Sequence, residues 1–202
     1  MTLLDQIQDI DEQLLRALNI AGENPLLDGV LVFLTVLGIS YVIVLASVPL
    51  WWKGRRDLGY DVVVLVIVAS LFTEVIKLLI DRPRPFEELP DVSTIVSASG
   101  PSFPSAHASR AFAVAAIVAI RTSHRYGATS LAIASLISLS RVCLGVHWPT
   151  DVLAGALLGA ALAVVFNCVA KEYTPYKSLR ARVIRAFSQK ARLGTIHQSH
   201  CR

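Results

Sequence analysis

A run of 24 residues without a single charge, Gly29 to Trp52, limits most tightly what this chain can fold into. As an α-helix rising about 1.5 Å per residue, such a run crosses a hydrocarbon core of about 30 Å with some tilt. Trp51 and Trp52 close it where aromatic side chains favour a membrane–water interface, and Lys53, Arg55 and Arg56 follow at once. Composition points the same way. Of 202 residues, 54% are hydrophobic and 17% charged, with a mean hydropathy of +0.57. A soluble domain carries about 25% charged residues, so a soluble globule and a disordered chain are both excluded. Cys143, Cys168 and Cys201 are too few, and odd in number, for a disulfide framework. The first two sit in apolar runs, as small buried residues do. A net charge of +4 suits nucleic acid or an anionic membrane surface. The positions of the charges decide for the membrane, with no nucleic-acid partner.

Four further spans follow, at about Val62–Ile80 (interrupted by Glu74 and Lys77), Ser105–Arg121, Tyr126–Cys143 and Pro149–Ala170. The last contains Gly155-Ala-Leu-Leu-Gly159, a small-xxx-small pattern that permits close helix packing but recurs by chance in Ala/Gly-rich spans. Before the first span, Leu3, Leu4, Ile7, Ile10, Leu14, Leu15 and Leu18 recur at helical spacing with Asp and Gln between them. That is an amphipathic helix lying on the membrane surface; a segment this acidic is no signal peptide. The expected fold is all-α: a polytopic membrane bundle of five transmembrane helices plus an N-terminal interfacial helix. Residues 1–24 form that helix, 25–170 one membrane domain, and 171–202 a basic tail with a short helix and a frayed end. Thirteen of the nineteen Lys and Arg fall after span one, between spans three and four, and in the tail. Five spans put all three segments on one face, the cytoplasmic one by the positive-inside rule. The N-terminus and the segments 81–105 and 143–149 then lie on the opposite face of the cell membrane.

Reactive residues concentrate in three stretches on that outer face: Lys77 to Arg84-Pro85, Pro104-Ser105-Ala106-His107, and Ser140-Arg141 followed by His147-Trp-Pro-Thr-Asp151. Each has an ordinary reading. Lys77 can snorkel to the interface, Arg82 and Arg84 can form a solvated turn between prolines, and a lone His107 can be an interior hydrogen-bonding residue. Arg141 is harder to set aside, because a charge ending an apolar run is costly unless paired or functional. Together they suit attack on phosphorus. Lys77, Arg84 and Arg141 offer fixed positive charge to phosphoryl oxygens. Ser105 stands at an N-cap position, so the N–H groups of Ala106 and His107 point out of a helix N-terminus at an anion. Asp151, four residues after His147, reaches one imidazole nitrogen and leaves the other free as nucleophile or base. His107 remains to protonate the leaving oxygen. The i, i+4 spacing of His147 and Asp151, with His107, also fits a metal site; three cations in one pocket favour an anion over a divalent cation.

These residues resemble the type 2 phosphatidic acid phosphatase superfamily, whose pattern is Lys-x6-Arg-Pro, then Pro-Ser-x-His, then Ser-Arg-x5-His-x3-Asp. All ten fixed positions are met: Lys77, Arg84, Pro85, Pro104, Ser105, His107, Ser140, Arg141, His147 and Asp151. Ala106 fills a slot that is most often Gly. The resemblance covers roughly residues 25–170. It implies a phosphohistidine on His147 supported by Asp151, His107 as general acid, phosphate held by Lys77, Arg84, Ser105 and Arg141, and no metal cofactor. Within the superfamily the short chain is similar to polyprenyl diphosphate phosphatases. Arg110, one turn after His107, then either binds a second phosphate or pairs with Asp81 or Glu74. The expected substrate is a lipid phosphate, polyprenyl diphosphate first and phosphatidate or phosphatidylglycerophosphate second. A vanadate-dependent haloperoxidase and a non-catalytic lipid-binding protein are the remaining alternatives.

Overall fold

Small side chains decide the centre of the bundle. A computed structural model describes residues 2–199 and shows ten helices and, among the described residues, no strand. In chain order they are α1 (Leu3–Leu18), α2 (Pro25–Leu37), α3 (Ser40–Ala46), α4 (Val48–Trp52), α5 (Arg56–Ile80), α6 (Pro85–Glu88), α7 (Ala106–Arg121), α8 (His124–Cys143), α9 (Pro149–Glu172) and α10 (Thr174–Ser199). Alanine-rich α7 runs through the middle, against α5, α8 and α9. The Gly155/Gly159 pair of α9 lies directly on it. A Cβ at Gly155 would stand 2.5 Å from the Ser105 carbonyl oxygen, and one at Gly159 would stand 2.1 Å from that of Ser109. No side chain fits in that seam, so the small-xxx-small pattern sets how closely α9 approaches the start of α7. Beside it Val62, Leu65, Val66 and Ala69 of α5 pack with Ala113 and Ile117 of α7 and Ala163 of α9.

The outward faces are apolar as well. Leu71, Phe72, Leu78 and Leu79 of α5 and Leu153, Leu157, Val164 and Val165 of α9 are all more than half exposed, a distribution that only a lipid solvent tolerates on this scale. The protein is a multi-pass membrane protein. Helices α5, α8 and α9 are long and apolar enough to cross by themselves. α7 has 16 residues, fewer than the usual 20 or so of a span.

The first span is not the single straight helix expected over Gly29–Trp52. Its two halves, Pro25–Leu37 and Ser40–Trp52, are bent by 74°. At the bend Gly38 presses on α7 and α8, where a Cβ would stand 2.6 Å from the His107 ring and 2.7 Å from Ile137. A second break falls at Ser47, whose hydroxyl donates to the Val44 carbonyl just before Pro49.

Two other boundaries move for one shared reason. α5 starts at Arg56 rather than near Val62, and the tail is the 26-residue α10 rather than a short helix with a frayed end. Asp61 of α5 is fully buried and accepts hydrogen bonds from Arg121, from the Tyr176 hydroxyl at 2.5 Å and from Arg180 at 2.5 Å. That cluster neutralises the charge inside α5 and docks α10. Phe187 adds an edge contact to Trp51 at 6.0 Å. Cys201 and Arg202 of the tail lie outside the described residues.

α1 presents three faces. Leu3, Ile7, Ile10 and Leu14 form an exposed apolar stripe, and Asp5, Asp9, Gln13 and Arg16 an exposed polar one. The third face, with Asp11 and Leu15 buried, sits on the start of α9 and the end of α8. Amphipathic α1 therefore lies across one end of the bundle.

Candidate active site

The three motif stretches meet at that end, beneath α1. His147 occupies the short loop between α8 and α9 and is 2% exposed. Asp151, fully buried in the first turn of α9, accepts the Trp148 N–H at 3.0 Å and faces Nδ1 of His147 at 3.4 Å. A carboxylate in that place selects the tautomer with the proton on Nδ1 and leaves the Nε2 lone pair free. Burial, reinforced by Arg141, Arg84 and Lys77, holds the His147 imidazole well below its ordinary value of 6.5, so it is neutral at neutral pH.

His107 lies in the first turn of α7, within electrostatic reach of Arg141, Arg110, His147 and Lys77. Buried polar atoms without partners line this region. The Ser105 hydroxyl and the Nε atoms of Arg110 and Arg141 have no hydrogen-bond partner among the described residues. Arg141 at the end of α8 donates through Nη1 to the Thr35 hydroxyl, and Arg110 makes one 3.4 Å bond to the Gly38 carbonyl. Both side chains are more than nine-tenths buried. Buried polar groups are satisfied in the great majority of cases, so orphaned donors gathered beside two histidines mark a place suited to an anion. The N–H groups of Ala106 and His107 add to it, since the first turn of a helix leaves its donors unpaired. Lys77, in the last turn of α5, is half-buried and lies in the same field.

Arg84 and Arg110 differ in how fully their guanidinium groups are engaged. Arg84 is buried and spends most of its donors on backbone carbonyls: Val146 at 2.8 Å, Gly100 at 2.9 Å, Ser99 at 3.1 Å and Pro101 at 3.4 Å. It ties the loop after α6 to the His147 loop and leaves its charge and one N–H for an anion. Arg110 forms no ion pair with Asp81 or Glu74 among the described residues.

Sequence reasoning missed three contributors. Thr35 supports Arg141 from α2, and Arg82 and Asp11 support Asp151 from the far side. Arg82 had a signal in its place just before Pro83 and near Lys77, which also reads as a solvated turn. Thr35 and Asp11 had none, because their partners lie about seventy residues or more away along the chain.

A sequence model of the PAP2 superfamily matches residues 59–174, more than half the chain. A protein of Sulfolobus acidocaldarius named undecaprenyl-diphosphatase is 35% identical over 137 residues, covering 66% of this chain. The match spans 66% of that relative's own length, a little under two thirds. The crystal structure of Aquifex aeolicus LpxE superposes with a TM-score of 0.72 at 27% identity, covering 78% of this chain and 94% of that one. A PAP2-type phosphatidylglycerolphosphate phosphatase from Bacillus subtilis superposes with a TM-score of 0.71 at 27% identity, covering 84% and 88%.

Proposed function

The chain belongs to the PAP2 superfamily, and from that premise we propose that it is a membrane lipid phosphatase removing the terminal phosphate of a polyprenyl diphosphate through a phosphohistidine on His147. The observation that carries the diphosphate is Arg110, a buried guanidinium with one long hydrogen bond and no carboxylate in ion-pair range among the described residues. A buried charge without a partner is costly, and a second phosphate one turn from His107 supplies the counter-charge. The lipid is supported by an apolar cavity of about 380 Å³ lined on α7 from Ala111, the residue after Arg110, onward. It begins at Leu37 and Ile137, which flank the Gly38–His107 contact, and runs past Ala111 to Val118 and Leu50. The relative from Sulfolobus acidocaldarius bears the name of such an activity.

In this reading Nε2 of His147 attacks the terminal phosphorus in line with the bridging oxygen. The P–O bond to the lipid monophosphate breaks as His107 gives that oxygen a proton, and a P–N bond to His147 forms. Water then attacks the phosphohistidine, passing a proton to His107, and inorganic phosphate leaves. Asp151 stabilises the positive charge the imidazole acquires. Lys77, Arg141 and the charge of Arg84 bear on the equatorial oxygens, with the Ser105 hydroxyl and the N–H groups of Ala106 and His107 as neutral donors. Fixed positive charge supplies the stabilisation that a metal gives in other phosphatases. Exhaustive chelation of the purified protein therefore leaves its rate within about twofold; a collapse that zinc or magnesium restores contradicts this.

Comparing Arg110→Ala on farnesyl diphosphate and farnesyl monophosphate tests the substrate. Loss of one charge-assisted contact to the second phosphate is worth about 1.5–3 kcal/mol, or roughly tenfold to a hundredfold, on the diphosphate alone. Equal loss on both makes Arg110 structural. Phosphatidylglycerophosphate is the second reading, suggested by the Bacillus subtilis neighbour; the account expects it to be a poorer substrate, because a monoester leaves Arg110 without its counter-charge.

The charge distribution supports an active site facing away from the cytoplasm with α10 inside, since thirteen of nineteen Lys and Arg lie on the other side. Single cysteines at Ser93 and Ser178, both exposed, in a background without native cysteines, test this on intact cells. An impermeant thiol reagent labels the first and spares the second; the reverse pattern inverts the orientation.

A further inference from the structure

We propose that α1 belongs to the catalytic apparatus: Asp11, acting through Arg82, is a positioning residue for the Asp151 carboxylate that orients His147. The proposal rests on the His147–Asp151 reading above. Arg82 stands between two carboxylates. Its Nη1 donates to Oδ1 of Asp151 at 2.9 Å and to the Thr150 hydroxyl at 2.8 Å. Its Nη2 donates to Oδ2 of Asp11 at 2.8 Å and to Oε1 of Gln8 at 2.8 Å. One fork thus takes two residues of α1 on one side and two of α9 on the other. The guanidinium also lies 5.0 Å from the Trp148 ring centroid, and the Trp148 indole N–H donates to the Pro83 carbonyl at 3.1 Å. All four Nη donors of Arg82 are engaged.

Asp11 is held as firmly. It is 1% exposed although it lies on an amphipathic helix. Its Oδ1 accepts the Thr150 N–H at 2.8 Å and its Oδ2 accepts the Thr150 hydroxyl, so α1 caps the start of α9 with a carboxylate. A buried aspartate with both oxygens spoken for costs desolvation that leucine would not; the arrangement gains direction instead. With Oδ1 of Asp151 fixed by Arg82, only Oδ2 is left, and it points at the Trp148 N–H and His147 Nδ1. Without Asp11, Arg82 keeps only the neutral Gln8 on the α1 side and is drawn toward the one carboxylate left to it, carrying Asp151 off His147. On the other side α1 offers Leu3, Ile7, Ile10 and Leu14 to lipid. Seating that stripe on the membrane surface is thereby tied to the geometry of the nucleophile.

The test is a double-mutant cycle in detergent, with farnesyl diphosphate as probe, reading single-turnover rate and KM for wild type, Asp11→Asn, Asp151→Asn and the pair. Misplacement of a reacting group by about 1 Å costs up to about a hundredfold. We expect Asp11→Asn to lower the rate tenfold to a hundredfold with KM within about twofold, and to cost nothing further in the Asp151→Asn background. A role in stability alone lowers both backgrounds equally, and that result, or an unimpaired Asp11→Asn, overturns the proposal. If Asp11→Asn does not elute as folded protein, Arg82→Lys replaces it in the same cycle, keeping the charge while losing the fork, with the same expected and contrary outcomes. An Asp151→Asn protein as fast as wild type overturns the His147–Asp151 reading itself, an outcome distinct from failure of the α1 link.

Discussion

His147→Ala should abolish turnover and leave no covalent phosphoenzyme, the largest single loss expected of any substitution in this chain. The expectation rests on position. Among the described residues, His147 is the one imidazole whose Nδ1 faces a buried carboxylate, 3.4 Å away. Activating a nucleophile needs an orienting acceptor on one side and an open approach on the other. The same burial sets a pH dependence. A neutral imidazole attacks, and a folded-state value well below 6.5 means that the active form persists as pH falls through the ordinary histidine range. The acidic limb of kcat/KM therefore lies below pH 6.5. A limb at or above that value removes His147 as the free-enzyme base. Phosphate release by His147→Ala at more than a small fraction of the wild-type rate contradicts the assignment outright.

His107→Ala should fail in a different way, binding substrate normally yet transferring phosphate slowly. Proton donation to a leaving oxygen is worth roughly 10²–10⁴ in rate. The loss should be near the top of that range for a lipid monophosphate, whose leaving alkoxide needs the proton most. It should be smaller for a diphosphate, whose leaving group is itself a phosphate, and smallest for p-nitrophenyl phosphate. Comparing kcat on the three checks the order. A loss independent of the leaving group makes His107 a binding residue, like Arg141 beside it.

The features that were legible in the sequence are those whose causes are local. α7, α8 and α9 begin at Ala106, His124 and Pro149, each within two residues of the expected boundary. Their punctuation sits in the chain itself: Ser105 at an N-cap, Pro149 in a first turn, Arg121 and Cys143 at ends. The ten motif positions were legible for the same reason, being fixed by short spacings. What could not be read depends on distant partners. Both halves of Gly29–Trp52 are apolar, so hydropathy sees one span; the bend follows from the contact of Gly38 with His107 and Ile137, 69 and 99 residues away. Asp61 reads as a helix boundary until Arg121 and Arg180 are seen to neutralise it. The carbonyl bonds by which Arg84 also ties two loops together could not be read from its spacing. The Asp11–Arg82–Asp151 chain joins α1 to two of the motif stretches across about seventy residues at each step, and no periodicity records it.

The central claim is that phosphate passes through His147, and trapping it there tests that claim most directly. The protein is mixed with a prenyl diphosphate carrying radioactive phosphorus in the terminal position, quenched in alkali within the first turnover, and digested. A P–N bond survives alkali and is lost in acid, so the account predicts alkali-stable, acid-labile label on the peptide containing His147. That label should be absent from His147→Ala and should accumulate more slowly in His107→Ala. Label that persists in His147→Ala and disappears from His107→Ala inverts the two roles, and steady phosphate release with no label at any quench time contradicts a covalent route altogether.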